Sequence, residues 1–185
     1  MEKKEKEVSG YLIGFLIFVL LVPALMWLVS GRPDLWIVPM LKMLFAGNSG
    51  LGFLNGLRMV MVVLLSVLGL SLSVWSIVYM RRKGDGNPMD AFGHEVAPRT
   101  KRLLTGGPYR LSRNPMLTGT FIYYAGVCLW LLTWQALLVF VVFFVIMLFQ
   151  VFSEERRLRK DFGEEYEAYC RKVGRFGFGP GSSKK

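Results

Sequence analysis

From Met116 to Gln150 the chain runs for 35 residues without one charged side chain. A membrane-crossing helix needs about 20 apolar residues, so this run is too long for one crossing and suits two. In lipid the backbone must satisfy its own polar groups, which makes both halves helical. Thr133-Trp134-Gln135 supplies the turn, with the Trp ring at the interface its amphipathic character prefers. A hairpin returns the chain to the side it left, so connector 81–115 and tail 151–185 share one face. The formal net charge is +10, and most Lys and Arg lie in 81–113 and 154–185. Cations flanking apolar blocks follow the positive-inside pattern and suit anionic headgroups, which makes that face cytoplasmic. The same charge on a soluble chain would suggest nucleic acid. Here its placement makes the lipid bilayer the expected partner, with no nucleic acid.

The remaining segments fit a helical membrane bundle. The chain is 53% hydrophobic, and its apolar residues are gathered in blocks with the charges between them. Tyr11 to Val29 is a first span, with a kink at Pro23. Three Lys and three Glu precede it within residues 1–10, and no small-residue cleavage site follows, so it reads as an anchor. Gly31-Arg32-Pro33-Asp34 and Gly47-Asn48-Ser49-Gly50 are turns around Leu35–Ala46, an apolar piece short for a span. Phe53 to Met80 is a long span with Arg58 near one end. The expected fold is therefore all-α: an integral membrane bundle of four long transmembrane helices, with a short fifth at 35–46 left open. It divides into N-terminal helices 1–80, a module 81–176 and a disordered tail 177–185. Beyond Gln150 the last helix continues into water, placing Glu154, Leu158 and Phe162 on one face with Gln150. Gly163 stops it, and Glu164 to Lys172 forms a short amphipathic helix.

Common soluble chemistries are excluded. Gly84-Asp85-Gly86 has Met89 where a dinucleotide loop needs its third glycine, and no Walker or G-x-S-x-G motif occurs. Two cysteines without CxxC and a single His give neither a disulfide framework nor a metal site. Candidate chemistry lies in the connector and tail. Gly106-Gly107-Pro108-Tyr109-Arg110 is a turn presenting a ring and a cation. Asn114 caps the helix opened by Pro115, and with Arg113 beside it that N-terminus is either a cap that needs no ligand or an anion site. Glu154-Glu155 places two acids at the mouth of a span, either ion-paired to Arg156, Arg157 or the connector, or free to bind hydroxyls or an ammonium group.

Gly107-Pro108-Tyr109-Arg110, Arg113-Asn114-Pro115-Met116-Leu117-x-Gly119 and Glu154-Glu155 with Phe162-Gly163-Glu164-Glu165-Tyr166 together resemble the isoprenylcysteine carboxyl methyltransferase family and its prokaryotic relatives. The resemblance covers about residues 81–176. It implies S-adenosylmethionine as cofactor and S-adenosylhomocysteine as product, bound on the cytoplasmic face between connector and tail. Carried onto this chain, the implied cofactor contacts are His94, Lys101, Arg102, Leu103, Leu104, Tyr109, Asn114, Pro115, Met116, Leu117 and Glu154. Arg113 and Glu154 are the candidate catalytic residues, and no metal is implied. Asn114 stands for the family's usual His, and Leu117 for its Tyr. Gln150 holds the place of an Arg assigned to the substrate carboxylate, and an amide pairs with carboxylate less strongly. The implied acceptor is thus a lipophilic small molecule, lipid-like or amphiphilic, not fixed as prenylcysteine. No obligatory protein partner is evident. Two other readings stay open: an NADPH-dependent membrane reductase of the sterol reductase type, and a non-catalytic membrane protein. Residues 116–150 are nearly bare of polar side chains, which argues against a transport path there.

Overall fold

The computed structural model describes residues 16–31, 50–83, 90–91, 94–95 and 102–177. The apolar piece 35–46, most of the two turns flanking it, Lys101 and tail residues 178–185 lie outside the described residues. A π-helical turn, Leu16–Leu21, leads into α1, Val22–Val29. Helix α2 is Gly50–Lys83, α3 is Pro115–Leu131 and α4 is Trp134–Lys172. Between α2 and α3 lie two two-residue antiparallel strands, β1 (Asp90–Ala91) and β2 (His94–Glu95), and a 3-10 turn at Gly107–Arg110. The small strand pair is the one departure from an all-helical chain among the described residues.

Pro23 explains the wide turn before α1. It carries no N–H, which would otherwise serve the carbonyl of Val19 in α geometry or that of Phe18 in π geometry. Two tyrosines of α3 serve them instead: Tyr123 donates to the Val19 carbonyl at 3.2 Å and Tyr124 to that of Phe18 at 2.6 Å. A kink in lipid is thereby satisfied by a neighbouring helix. Met26, Tyr123, Tyr124, Val127, Leu131 and Ala136 form the core where α1, α3 and α4 meet. At the same end Ser30 and Thr133 share a hydrogen bond of 2.7 Å.

Helices α2 and α3 approach until backbone meets backbone. A Cβ on Gly69 would lie 2.5 Å from the Gly119 carbonyl oxygen, and one on Gly119 would meet Ser73 Oγ at 2.5 Å. Ser73 donates across the contact to the Met116 carbonyl at 3.0 Å. Lipid tails are as apolar as Leu, so helices in a bilayer associate through this sort of small-residue contact.

The hairpin forms, with its break slightly earlier than expected. Leu132 takes the left-handed conformation (φ 48°), and Thr133 Oγ1 accepts from the Ala136 N–H at 3.4 Å. Trp134 and Gln135 are therefore already in α4. Of the four long spans expected, two helices among the described residues are long and apolar enough to cross, Phe53–Lys83 and Trp134–Lys172. Ile17–Val29 and Pro115–Leu131 are shorter apolar helices, the latter because the break at Leu132 leaves it 17 residues. Both long helices expose many large apolar side chains, Phe53 at 74% and Phe149 at 67% among them. Such an apolar surface belongs in lipid.

Gly119→Leu should lower the stability of the detergent-solubilised protein by about 3 kcal/mol, the upper range for overpacking. Gly56→Ala, in open space on the same α2, should leave it unchanged or slightly raised. Thermal unfolding of the two variants checks the contrast.

Candidate functional site at the water-facing ends of α3 and α4

The uncharged part of α4 ends at Ser153, and the helix continues as a charged arm to Phe162. Gly163 breaks it with φ 49° and ψ −122°, a conformation suited to glycine. The second leg, Glu164 to Lys172, buries Tyr166, Tyr169 and Cys170. They pack with Tyr109 and Val173, against which Leu103, Leu104, Leu158 and Phe162 also lie. Tyr169 donates to the Tyr109 carbonyl at 2.6 Å, and burial holds its hydroxyl above the usual range, so it stays a neutral donor. The Tyr109 turn is seated on α2: a Cβ at Gly107 would lie 2.5 Å from the Tyr79 ring, and the Tyr79 and Tyr109 rings are 6.1 Å apart.

Beside this cluster Glu155 is 2% exposed. Arg175 grips it with both arms of its fork, Nε to Oε1 at 2.9 Å and Nη2 to Oε2 at 2.7 Å. Arg113 Nη1 lies 3.3 Å from Oε1 and also donates to Cys170 Sγ at 2.6 Å. The tail past α4 is thus a strap laid across the start of α3. Arg113 N–H donates to the Gly174 carbonyl at 2.9 Å, and Asn114 N–H to that of Arg175 at 3.3 Å. Ser112 Oγ donates to the same Arg175 carbonyl at 2.9 Å. Phe176 enters an aromatic group on the membrane side, with ring centroids 5.4 Å from Phe121 and 6.1 Å from Phe144.

Glu154 is different. It is partly buried, and no described side chain donates to it. Burial first, and then the Glu155 carboxylate beside it, push it from 4.5 up to about 7. One helical turn on stands Leu158, then Phe162, so Glu154 continues the face that carries the Tyr109 cluster.

The sequence-derived candidates therefore fall into groups. Leu103, Leu104 and Tyr109 come together around α4, while Arg102 is exposed. Leu117 packs on Val151, and Pro115 is buried beneath the strap's landing place. Met116 is half-buried, and its carbonyl receives Ser73 and Thr120. Arg113 is brought to Glu155, one of the pairings open from sequence. Gln150 lies one turn before Glu154 on α4, half-buried. The backbone of His94 pairs with Ala91 in the strand ladder. Asn114 occupies the N-cap position, but its side chain does not cap; Nδ2 donates to the Arg175 carbonyl at 3.4 Å, and Ser112 Oγ accepts from the Asn114 N–H. Sequence reasoning missed Arg175 and Phe176. A cation and an aromatic after Gly174 carry no helical period, and their alternation was the one signal available.

Removing the Glu155 carboxylate leaves Arg113, only 7% exposed, beside no carboxylate among its described partners. Glu155→Gln should cost about 3 kcal/mol, as for one partner lost from a buried pair. Glu154→Gln should act oppositely. Folding raises this carboxyl from 4.5 to about 7, so the folded state holds an extra proton in that window and wild-type stability falls as pH rises through it. The variant should melt at or above the wild-type temperature beyond pH 7, and the gap should close by pH 4.5. Melting curves across pH check both signs.

A family model described as phospholipid methyltransferase matches residues 57–165. The match begins in α2 and ends in the second leg of α4, so it spans the glycine contact, the Tyr109 turn and both glutamates. Neither a curated protein nor a solved structure matches the chain. The family match covers more than half the sequence, and the apolar helices agree with it. This chain is a membrane protein of the phospholipid methyltransferase family, within the isoprenylcysteine carboxyl methyltransferase type of membrane methyltransferases.

Proposed function

We propose that the chain is an integral membrane methyltransferase that uses S-adenosylmethionine to methylate a lipid-like or amphiphilic acceptor at the cytoplasmic face. The observation that carries the reading is Glu154: a partly buried carboxylate with no described donor, on the α4 face that continues into the Tyr109 cluster. A carboxylate suits ribose hydroxyls or an ammonium group, and adjoining aliphatic and aromatic surface suits an adenine. Leu103, Leu104 and Tyr109 would supply that surface. Donors from a ligand would favour the ionised form of Glu154 and offset its desolvation. Arg113, whose buried Nε has no hydrogen-bond partner among the described residues, suits the carboxylate of an amino-acid head.

When bound, S-adenosylmethionine supplies an activated methyl group. The protein's part is to hold the reactants in line and keep water out. In this reading the apolar exteriors of α2 and α4 meet lipid on one side of the site, and the basic connector and tail meet water on the other. In this reading α1 and α3 cross as well, making four spans. At 1.5 Å per residue, α3 covers about 25 Å of a hydrocarbon core of about 30 Å. Residues 81–176 act as the cofactor module, 1–80 as the anchoring helices and 177–185 as a tail.

Calorimetry with S-adenosylhomocysteine on detergent-solubilised protein tests this. Saturable binding is expected, weakened at least about tenfold in Glu154→Ala, or about 1.4 kcal/mol. Absence of binding by folded wild type, or equal binding by the variant, would remove the assigned site. Saturable NADPH binding in its place would favour a reductase.

A further inference from the structure

We infer that the strap Val173–Phe176 is a positioning element for the methyl-transfer site, and that Arg175 is its latch. The inference rests on the reading of Glu154 given above and adds residues outside the family match, which ends at 165. Three contacts of different kinds hold the strap. Its backbone pairs with Arg113 and Asn114 at the start of α3. The Arg175 fork closes on both oxygens of Glu155, the residue next to Glu154 on α4. Phe176 fills the aromatic group between α3 and α4. A bidentate guanidinium fixes a carboxylate in direction as well as place. Because Glu155 and Glu154 are neighbours on one helix, fixing the first fixes the azimuth of the second. The latch also keeps Glu155 and Arg113 engaged with each other, so neither swings across to compete for Glu154 or its ligand. Arg175 itself touches no reacting atom. It acts through Glu155.

Cys170 gives a reporter. It is 3% exposed and in contact with Arg113, whose backbone the strap covers. In a Cys128→Ala background, a water-soluble maleimide would label Cys170 only when the strap lifts. The experiment compares labelling rate, unfolding temperature and S-adenosylhomocysteine affinity for that background, Arg175→Met and Arg175→Lys. The expected result is that Arg175→Met speeds labelling and weakens binding at least tenfold while the helices stay folded. Arg175→Lys, which keeps the charge but not the fork, should fall between. Faster labelling with unchanged affinity would overturn the inference, because the strap would then be mere covering. Unchanged labelling in Arg175→Met would overturn it too, because Arg175 would not be the latch. If Arg175→Met fails to fold, the same two comparisons on Arg175→Lys decide. Failure of the background protein itself to bind would defeat the cofactor reading, and this inference with it, and is seen before any latch variant is made.

Discussion

The water-facing end of this molecule depends on one buried carboxylate. Glu155 would be strongly destabilising alone in a low-dielectric setting. Two guanidiniums make it tolerable, and they come from opposite sides of the sequence. Arg113 precedes α3 and Arg175 follows α4. The carboxylate therefore ties the connector, the emerging arm of α4 and the C-terminal strap at one point. A hydrophobic cluster could tie the same segments, and one does nearby around Tyr166. It could not set their angles as a forked hydrogen bond does. The consequence is a division of labour between adjacent residues about 100° apart on the helix. Glu155 faces α3 and is saturated. Glu154, one turn before Leu158, is left without a described donor.

The apolar helices are held together by different forces, and the difference follows from solvent. Within the bilayer there is no hydrophobic gain in bringing two apolar helices together, so contact rests on close approach and on polar groups with nowhere else to go. Gly69 against Gly119 supplies the approach. The tyrosine bonds to Phe18 and Val19 and the Ser73 bond to Met116 supply the polar part. Gly119 links the two regimes. It sits four residues past Pro115, so the contact that draws α3 onto α2 also fixes where the start of α3 lies relative to α2. The Tyr109 turn is seated on the same α2 through Tyr79. Helix α2 is thus the common reference for both halves of the site.

Much of this was legible in the residues, and what was legible was periodic or compositional. The uncharged run required a hairpin, and the structure has one. The 3.6-residue period past Gln150 put Leu158 and Phe162 on one face, and both pack on the Tyr109 cluster. Gly163 as a stop was readable because no other residue suits that backbone. The break itself was misplaced by a residue or so, because Thr133 can cap as well as turn. Asn114 was expected to cap and does not, since its side chain turns to the strap and donates to the Arg175 carbonyl. Arg175 and Phe176 were not legible as site residues, because their partners lie 20 to more than 50 positions away and nothing local marks them. The small residues of the α2–α3 contact do recur at helical spacing, Ser66, Gly69, Ser73 and Ser76 on one helix and Gly119 and Gly126 on the other, but in uniformly apolar runs that spacing does not say which two helices meet. The positions of Lys101 and the 35–46 segment fall outside the described residues.

Two carboxylates in sequence at the mouth of a span need a physical reason, since the second makes the first harder to ionise. If Glu154 served only the fold, a neutral residue there would relieve Glu155 of a like charge and the helix of a desolvated acid. The strained member of the pair is the one without a described donor, while the satisfied member is the one that holds the architecture. Strain left at one position and answered by no described residue is the pattern expected where a ligand completes the structure. In the proposed reading such a ligand would bring donors and fit beside apolar and aromatic side chains. Those requirements follow from geometry and charge, and the proposed cofactor would meet them. What the neighbouring Glu155 adds is orientation: an acid that is costly to keep ionised is useful only if it points the right way, and the doubly held carboxylate next to it sets that direction.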